Sequence, residues 1–170
     1  MNRLVQAPLT KLKNRRTFNE ELKDLIVHTN KKRGFLSLLM IDVDHFKTYN
    51  DQFGHPAGDQ VLIRLASVLT YALRVSDLLA RFGGEEFVVA LPEIGEYKAD
   101  RLVVTIQKET WENRPITISV GIATLDFSLP VSTFRDTDFS TRIVEETDRA
   151  LYRSKANGRN QATHCSQILL

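Results

Sequence analysis

The chain has 170 residues, 42% of them hydrophobic, with 23 Lys and Arg against 21 Asp and Glu. That length suits one domain with a substantial core, placed over residues 1–170 with 1–13 as a lead-in, and is short for two. A net charge of +2 gives no strong field for nucleic acid or an anionic membrane, no apolar run reaches a bilayer span, and the opening residues lack the apolar centre of a signal peptide, so a soluble cytoplasmic chain is expected.

After the lead-in, Asn14 is suited to cap a helix running to about residue 30, because Phe18, Leu22, Leu25 and Ile26 fall on one face. Lys31-Lys32-Arg33-Gly34 ends it, with cations that suit a helix C-terminus and a glycine that suits the turn. Phe35-Leu36-Ser37-Leu38-Leu39-Met40-Ile41 reads as a central strand buried on both faces, ending abruptly at Asp42-Val43-Asp44. Strands of this kind commonly deliver chemistry at their C-terminal ends, although Asp42 could equally cap the next segment. Residues 47–56 are polar and rich in turn formers, and a helix is expected from Pro56 with Val61, Leu62, Leu65, Val68, Leu69 and Leu73 inward and Asp59 in its first turn.

A strand over 78–82 then enters Gly83-Gly84 and a strand over 87–91 leaves it, the pattern of a hairpin whose turn sets Glu85 and Glu86 at the start of the second strand. Residues 92–97 read as a loop, 98–112 as a helix, 115–123 as an alternating strand, 124–138 as a long irregular connection and 139–157 as a last helix stopped at Gly158. The tail from residue 160 can add an edge strand. Cys165, the single cysteine, cannot close an intrachain disulfide, and His28, His45, His55 and His164 do not fall at zinc-ligand spacing, so a reducing compartment is expected.

This order is a split βαβ pattern, an α/β (α+β) class with a ferredoxin-like βαββαβ core, extra helices and a mostly antiparallel sheet. If the strand ending at Asp42 pairs antiparallel with the strand after Gly83-Gly84, then Asp42 and Glu85 meet at one edge of the sheet. With the Val43 carbonyl alongside, that gives an oxygen-rich place for a magnesium ion that also holds phosphate oxygens. An exposed hairpin tip with ordinary surface glutamates is the plainer alternative.

At these residues the sequence resembles the diguanylate cyclase family, named after its Gly-Gly-Asp/Glu-Glu-Phe hairpin, here Gly83-Gly84-Glu85-Glu86-Phe87. The match also takes in Leu9-Thr10, Leu12, Asn14-Arg15-Arg16, Asp42 through Lys47, Asn50-Asp51, Gly54-His55, Gly58-Asp59, Thr117 through Gly121, Asp148, Ala150-Leu151-Tyr152, Lys155 and Gly158-Arg159-Asn160, in family order over about residues 8–161. The resemblance implies condensation of two GTP into cyclic di-GMP, with release of two pyrophosphates, at the interface of a homodimer.

It further implies two Mg2+ or Mn2+ ions per site held by Asp42, the Val43 carbonyl and Glu85, with Glu86 helping. Glu85 would act as general base and Lys47 as transition-state stabiliser. Phe46, Asn50, His55, Asp59, Gly83, Gly84, Lys155 and Arg159 would bind substrate. A carboxylate at Asp59 can accept from guanine N1–H and the exocyclic amine, whereas adenine offers an acceptor at N1, so GTP is favoured over ATP. Arg74 and Asp77 match the family's inhibitory product site, which implies feedback by cyclic di-GMP; a surface ion pair is the plainer reading.

Two positions depart from the family's opening Asp-x-Leu-Thr-Gly-Leu: Ala7 stands for the aspartate and Lys11 for the glycine. The aspartate normally couples the domain to an upstream sensory or dimerising region, so signal input through that region is in question. An RNA-binding module shares the ferredoxin-like sheet, but Glu85 and Glu86 would repel phosphates there. An inactive cyclic di-GMP receptor keeping only Arg74 and Asp77 is the other rival, and it does not account for Asp42, Lys47, Glu85, Lys155 and Arg159.

Overall fold

The computed structural model describes residues 6–93, 97–128 and 138–165. Its frame is a five-stranded sheet in the order β2-β3-β1-β4-β5, made by β1 (Phe35–Val43), β2 (Leu78–Gly83), β3 (Glu86–Pro92), β4 (Ile118–Asp126) and β5 (Ala162–His164). All neighbours are antiparallel except β4 and β5, which are parallel. The expected ferredoxin-like core, the antiparallel pairing of β1 with β3 and the added edge strand are all present.

The pleat sorts the apolar side chains into two cores. Leu39, Ile41 and Val43 of β1, with Phe87, Val89 and Leu91 of β3, face α2 (Phe46–Phe53), α3 (His55–Ala72) and α4 (Tyr97–Lys108). Leu36, Leu38 and Met40, with Val88 and Ala90, face α1 (Arg15–Lys31) and α5 (Phe139–Ala156). The same alternation puts Asp42 and Asp44 on the α1/α5 side of the sheet, which decides what they touch.

Asn14 caps α1 by accepting from Thr17 N, and Phe18, Leu22 and Ile26 are buried as the helical spacing requires. At Gly121 two main chains meet closely. A Cβ there would lie 2.2 Å from both Leu151 N and Thr147 O, so α5 rests backbone to backbone on β4. Among the described residues no helix is long and apolar enough to cross a membrane.

Several boundaries differ from the sequence reading. Residues 46–53 form α2 rather than a turn-rich stretch; Phe46, Tyr49 and Phe53 point one way and pack beneath α3. Asp42 lies inside β1 and caps nothing; α2 starts instead at His45, in a left-handed conformation with φ 55°. Because α3 starts at His55, Asp59 falls in its second turn and draws little from the helix dipole. The hairpin closes on the pair Gly83/Glu86, so Gly84 and Glu85 form the turn and Glu85 does not begin the strand.

Helix α4 stops at Lys108, and Trp111 lies beyond it, half-buried, with its Nε1 donating to Ile106 O. β4 covers Ile118–Asp126 instead of 115–123, since pairing with β1 continues out to Phe35↔Asp126. The loop residues 94–96 and most of the expected irregular connection, 129–137, lie outside the described residues, as do 1–5 and 166–170. Lys11, standing where the family carries glycine, adopts the left-handed region at φ 59°, which explains the family's preference.

Asp138 caps α5, accepting from the main chain of Ser140 and Thr141. Hydrogen bonds from the Ser140 and Thr141 side chains, then from the Thr141 main chain, pull its carboxyl down to about 2. A depressed acid contributes stability that is complete above the unfolded carboxyl's range, near pH 4, and lost as pH falls toward 2. We therefore expect Asp138→Ala to cost about 1 kcal/mol at pH 7. In urea titrations the gap between variant and parent should close between about pH 4 and pH 2. A gap unchanged at pH 2 would show that the carboxylate is not what caps the helix.

Candidate active site

The C-terminal end of β1 and the start of β3 lie side by side because their register pairs Asp42 with Glu86 and Ile41 with Phe87. Val43 N donates to Glu85 O at 3.3 Å, which fixes the hairpin turn beside the end of β1. Asp42 is buried, at 7% exposure, while Glu85 and Glu86 are half-buried. The cross-strand partner of Asp42 is therefore Glu86, and Glu85 reaches the same corner from the turn.

Lys155, near the end of α5, places Nζ 2.9 Å from Asp42 Oδ2. Burial raises the Asp42 carboxyl, Lys155 pulls it down, and the nearby charges of Glu85 and Glu86 push it up, leaving it at about 6. Three acids meet at one corner, and the neighbouring lysine does not offset the cost of burying the charge on Asp42.

That crowding is what a hard cation relieves. Among the described residues no three His, Cys, Asp or Glu side chains are gathered tightly enough to hold a metal by themselves. One or two carboxylates with a main-chain carbonyl is nonetheless how magnesium is usually held, the remaining ligands being water and substrate phosphate. The donor set here fits a magnesium-type ion and does not fit a closed all-protein cage.

The hairpin itself is held from beneath. Arg81 donates Nε and one terminal nitrogen to Gly84 O at 3.0 and 2.8 Å. Burial lowers the Arg81 pKa, and the charges of Asp59 and Glu85 raise it again. Arg81 thus fixes the turn and lies within the charge field of Asp59 on α3, a role the sequence reading did not assign to it. Gly83 at φ 135° and Gly84 at φ 50° give the turn its shape, and a Cβ at either would meet nothing within 4 Å. Backbone conformation, then, requires glycine there.

Across the site, α2 and α3 present Lys47, Asn50, His55 and Asp59. Lys47, His55 and Asp59 are exposed, Phe46 is buried, and Asn50 is half-buried. Asn50 Oδ1 is a buried acceptor with no hydrogen-bond partner. It is pressed against Gly58, where a Cβ would lie 1.7 Å from it. A buried acceptor without a donor is costly, and a ligand N–H or O–H at this place would satisfy it. Arg159, exposed just past the end of α5, completes the set with Lys155.

Arg74 and Asp77 stand apart, at the far end of β2 from the hairpin. A terminal nitrogen of Arg74 donates to Asp77 Oδ1 at 3.0 Å and to Pro92 O at 2.8 Å, and Asp77 Oδ2 accepts from Arg74 N at 2.8 Å. The Asp77 side chain is fully buried beneath an arginine that is 43% exposed. The structure thus brings Asp42, Glu85, Glu86 and Lys155 together and keeps the Arg74/Asp77 pair separate.

This sheet, with a carboxylate-lined corner at the end of β1 and helices on both faces, is that of an α+β domain. The sequence profile described as "Diguanylate cyclase, GGDEF domain" matches residues 6–161. Diguanylate cyclase DgcP of Pseudomonas aeruginosa is 40% identical over 162 residues, covering 91% of this chain and 23% of DgcP. The GGDEF domain of DgcB from Caulobacter crescentus, solved in complex with c-di-GMP, matches with a TM-score of 0.84 at 29% identity, covering 98% of this chain and 99% of that one. The active GGEEF domain of a diguanylate cyclase from Vibrio cholerae, which shares the hairpin variant, matches with a TM-score of 0.80 at 29% identity over 91% of this chain and 97% of that one. The chain belongs to the diguanylate cyclase GGDEF domain family. It spans between 23% and 36% of the length of the first two curated relatives it matches.

Proposed function

We propose that this chain is a diguanylate cyclase domain that condenses two GTP into cyclic di-GMP and two pyrophosphates. The observation that carries the reading is the corner of Asp42, Glu85 and Glu86, where burial, added to by the two glutamate charges, holds the Asp42 carboxyl up at about 6, together with an unsatisfied buried acceptor on Asn50. An acidic corner opposite a polar base cradle is what a metal-bound purine triphosphate requires.

Asp42, the Val43 carbonyl and Glu85 would hold Mg2+ or Mn2+, with Glu86 beside them. When bound, the ion neutralises phosphate charge and makes the attacking hydroxyl more acidic. Glu85 takes the proton from the ribose 3′-hydroxyl, whose oxygen forms a bond to the α-phosphorus of the facing GTP as the bond to the bridging oxygen breaks and pyrophosphate leaves. A second such transfer closes the ring. Lys47 stabilises charge on the phosphorus centre, and Lys155 and Arg159 hold the terminal phosphates. Gly83 and Gly84 bring main chain against the nucleotide, and Phe46 and His55 border it. Because each GTP attacks the other, the active species is a homodimer of two facing domains. Arg74 and Asp77 form a product site, where the diester phosphates of cyclic di-GMP take the arginine and slow the enzyme.

Guanine is read by Asn50 and Asp59. Non-reacting 3′-deoxy analogues test this by titration calorimetry with magnesium: the guanosine triphosphate should bind on the order of 100-fold tighter than the adenosine triphosphate. Asp59→Ala should narrow that preference to less than about tenfold. Equal binding of the two analogues by the parent would overturn the guanine assignment.

A further inference from the structure

One buried carboxylate is unused by this chemistry. Asp44 is 5% exposed, and three donors converge on it: Ser119 Oγ on Oδ1 at 2.6 Å, and Thr117 Oγ1 and Asn160 N on Oδ2 at 2.7 and 3.0 Å. Two of these come from β4 and the residue just before it, and would suffice to satisfy a buried structural acid. The third is a main-chain N–H from the turn after α5, 116 residues away in sequence.

That turn is strained. Gly158, Arg159 and Asn160 are consecutive positive-φ residues, at φ 109°, 65° and 49°; glycine and asparagine tolerate this region, so the cost falls on Arg159. Such a conformation persists only where surrounding contacts over-determine it. Here Arg159 N donates to Ser154 O at 2.9 Å, Val120 N donates to Gln161 O at 2.9 Å, and Asp44 takes the N–H between them. Asp42, in β1, and Asp44, just past its end, lie two residues apart on one side of the sheet, and they grip one segment at two points: Asp42 takes the Lys155 side chain and Asp44 the Asn160 main chain. The first grip is a side-chain ion pair that can be exchanged for another partner. The second is buried and fixed.

We propose that Asp44 is a positioning residue for triphosphate binding: it holds the Gly158–Arg159–Asn160 turn in its left-handed form and so aims Arg159, and the end of α5 carrying Lys155, at the terminal phosphates. The inference rests on the proposed nucleotide-binding function. It predicts a split between ligands with and without those phosphates, which loss of folding alone does not produce.

The experiment compares the parent with Asp44→Asn, which keeps the shape but turns an N–H donor toward converging donors, and with Thr117→Val, which removes one donor and leaves the strand intact. Each is titrated with 3′-deoxyguanosine triphosphate and with guanosine monophosphate, and amide hydrogen exchange is followed at Asn160. In Asp44→Asn the triphosphate Kd should rise at least tenfold, the monophosphate Kd should change less than twofold, and the Asn160 amide should lose protection while β4 amides keep theirs. Thr117→Val should shift the triphosphate Kd in the same direction, by about threefold. Equal weakening of both ligands, or an unchanged triphosphate Kd in both variants, would overturn the inference and leave the cyclase reading standing. A parent that binds neither nucleotide would remove both.

Discussion

Glu85→Ala is expected to lower cyclic di-GMP formation by at least about 10³-fold, roughly 4 kcal/mol of lost transition-state stabilisation, while the domain stays folded. The magnitude follows from asking one side chain to serve as both metal ligand and proton acceptor. Retention of the fold follows from its position: Glu85 is half-buried in a two-residue turn held by Arg81 and by Val43 N, and both of those contacts use main-chain atoms of Gly84 and Glu85. Its removal also takes away one of the charges that push Asp42 upward, so stability should be unchanged or slightly higher. Product formation by high-performance chromatography, read beside a thermal melt, checks both halves. Activity within tenfold of the parent would remove Glu85 from its assigned role, and its neighbour Glu86, the direct cross-strand partner of Asp42, would become the candidate.

The second large effect concerns Gly121→Ala. The added Cβ would meet Leu151 N and Thr147 O at 2.2 Å and Leu151 Cα at 2.8 Å, all main-chain atoms that no rotamer change can move aside. Relief requires lifting α5 from β4. Overpacking of this kind costs about 3 kcal/mol or more, a large share of the 5–15 kcal/mol that holds a typical domain together. The melting temperature should drop by roughly 6–12 °C. Because Ser154 Oγ donates to Val120 O at 2.7 Å and Lys155 follows it, the same lift separates Lys155 from Asp42. The variant should therefore lose nucleotide affinity even below its melting point. A melting temperature within 2 °C of the parent would contradict the close backbone packing described here.

Much of the frame was legible because local chemistry and tertiary packing agree in it. Asn14 caps α1, the apolar run after Gly34 is β1, and paired glycines between apolar stretches mark the hairpin. From those the antiparallel meeting of Asp42 with the hairpin carboxylates followed. Helix α2 was not legible: eight residues, mostly polar, form it because Phe46, Tyr49 and Phe53 find cover under α3. A periodicity search can find three apolar positions spaced i, i+3 and i+7, but it cannot show that a roof exists over them. The ends of β4 were misplaced for a related reason, since its last residues pair with Phe35 and Ser37 at the far end of β1.

The assignment of the glutamates was sharpened by register, which only pairing reveals. Asp44 gave no sequence signal beyond lying in Asp42-Val43-Asp44, because its partners Thr117, Ser119 and Asn160 are 73, 75 and 116 residues away. Arg81 was in plain view beside the hairpin, yet its hold on the Gly84 carbonyl depends on a turn whose two residues are Gly84 and Glu85.

The central claim is that two GTP molecules become one cyclic dinucleotide on a pair of these domains. Its most direct measurement is incubation of the purified protein with GTP and magnesium over a range of protein concentrations, with nucleotide products separated and pyrophosphate counted. The expected result is cyclic di-GMP with two pyrophosphates per product, at a specific activity that rises with protein concentration as dimers form. Failure to form cyclic di-GMP at concentrations where the protein is dimeric would contradict it.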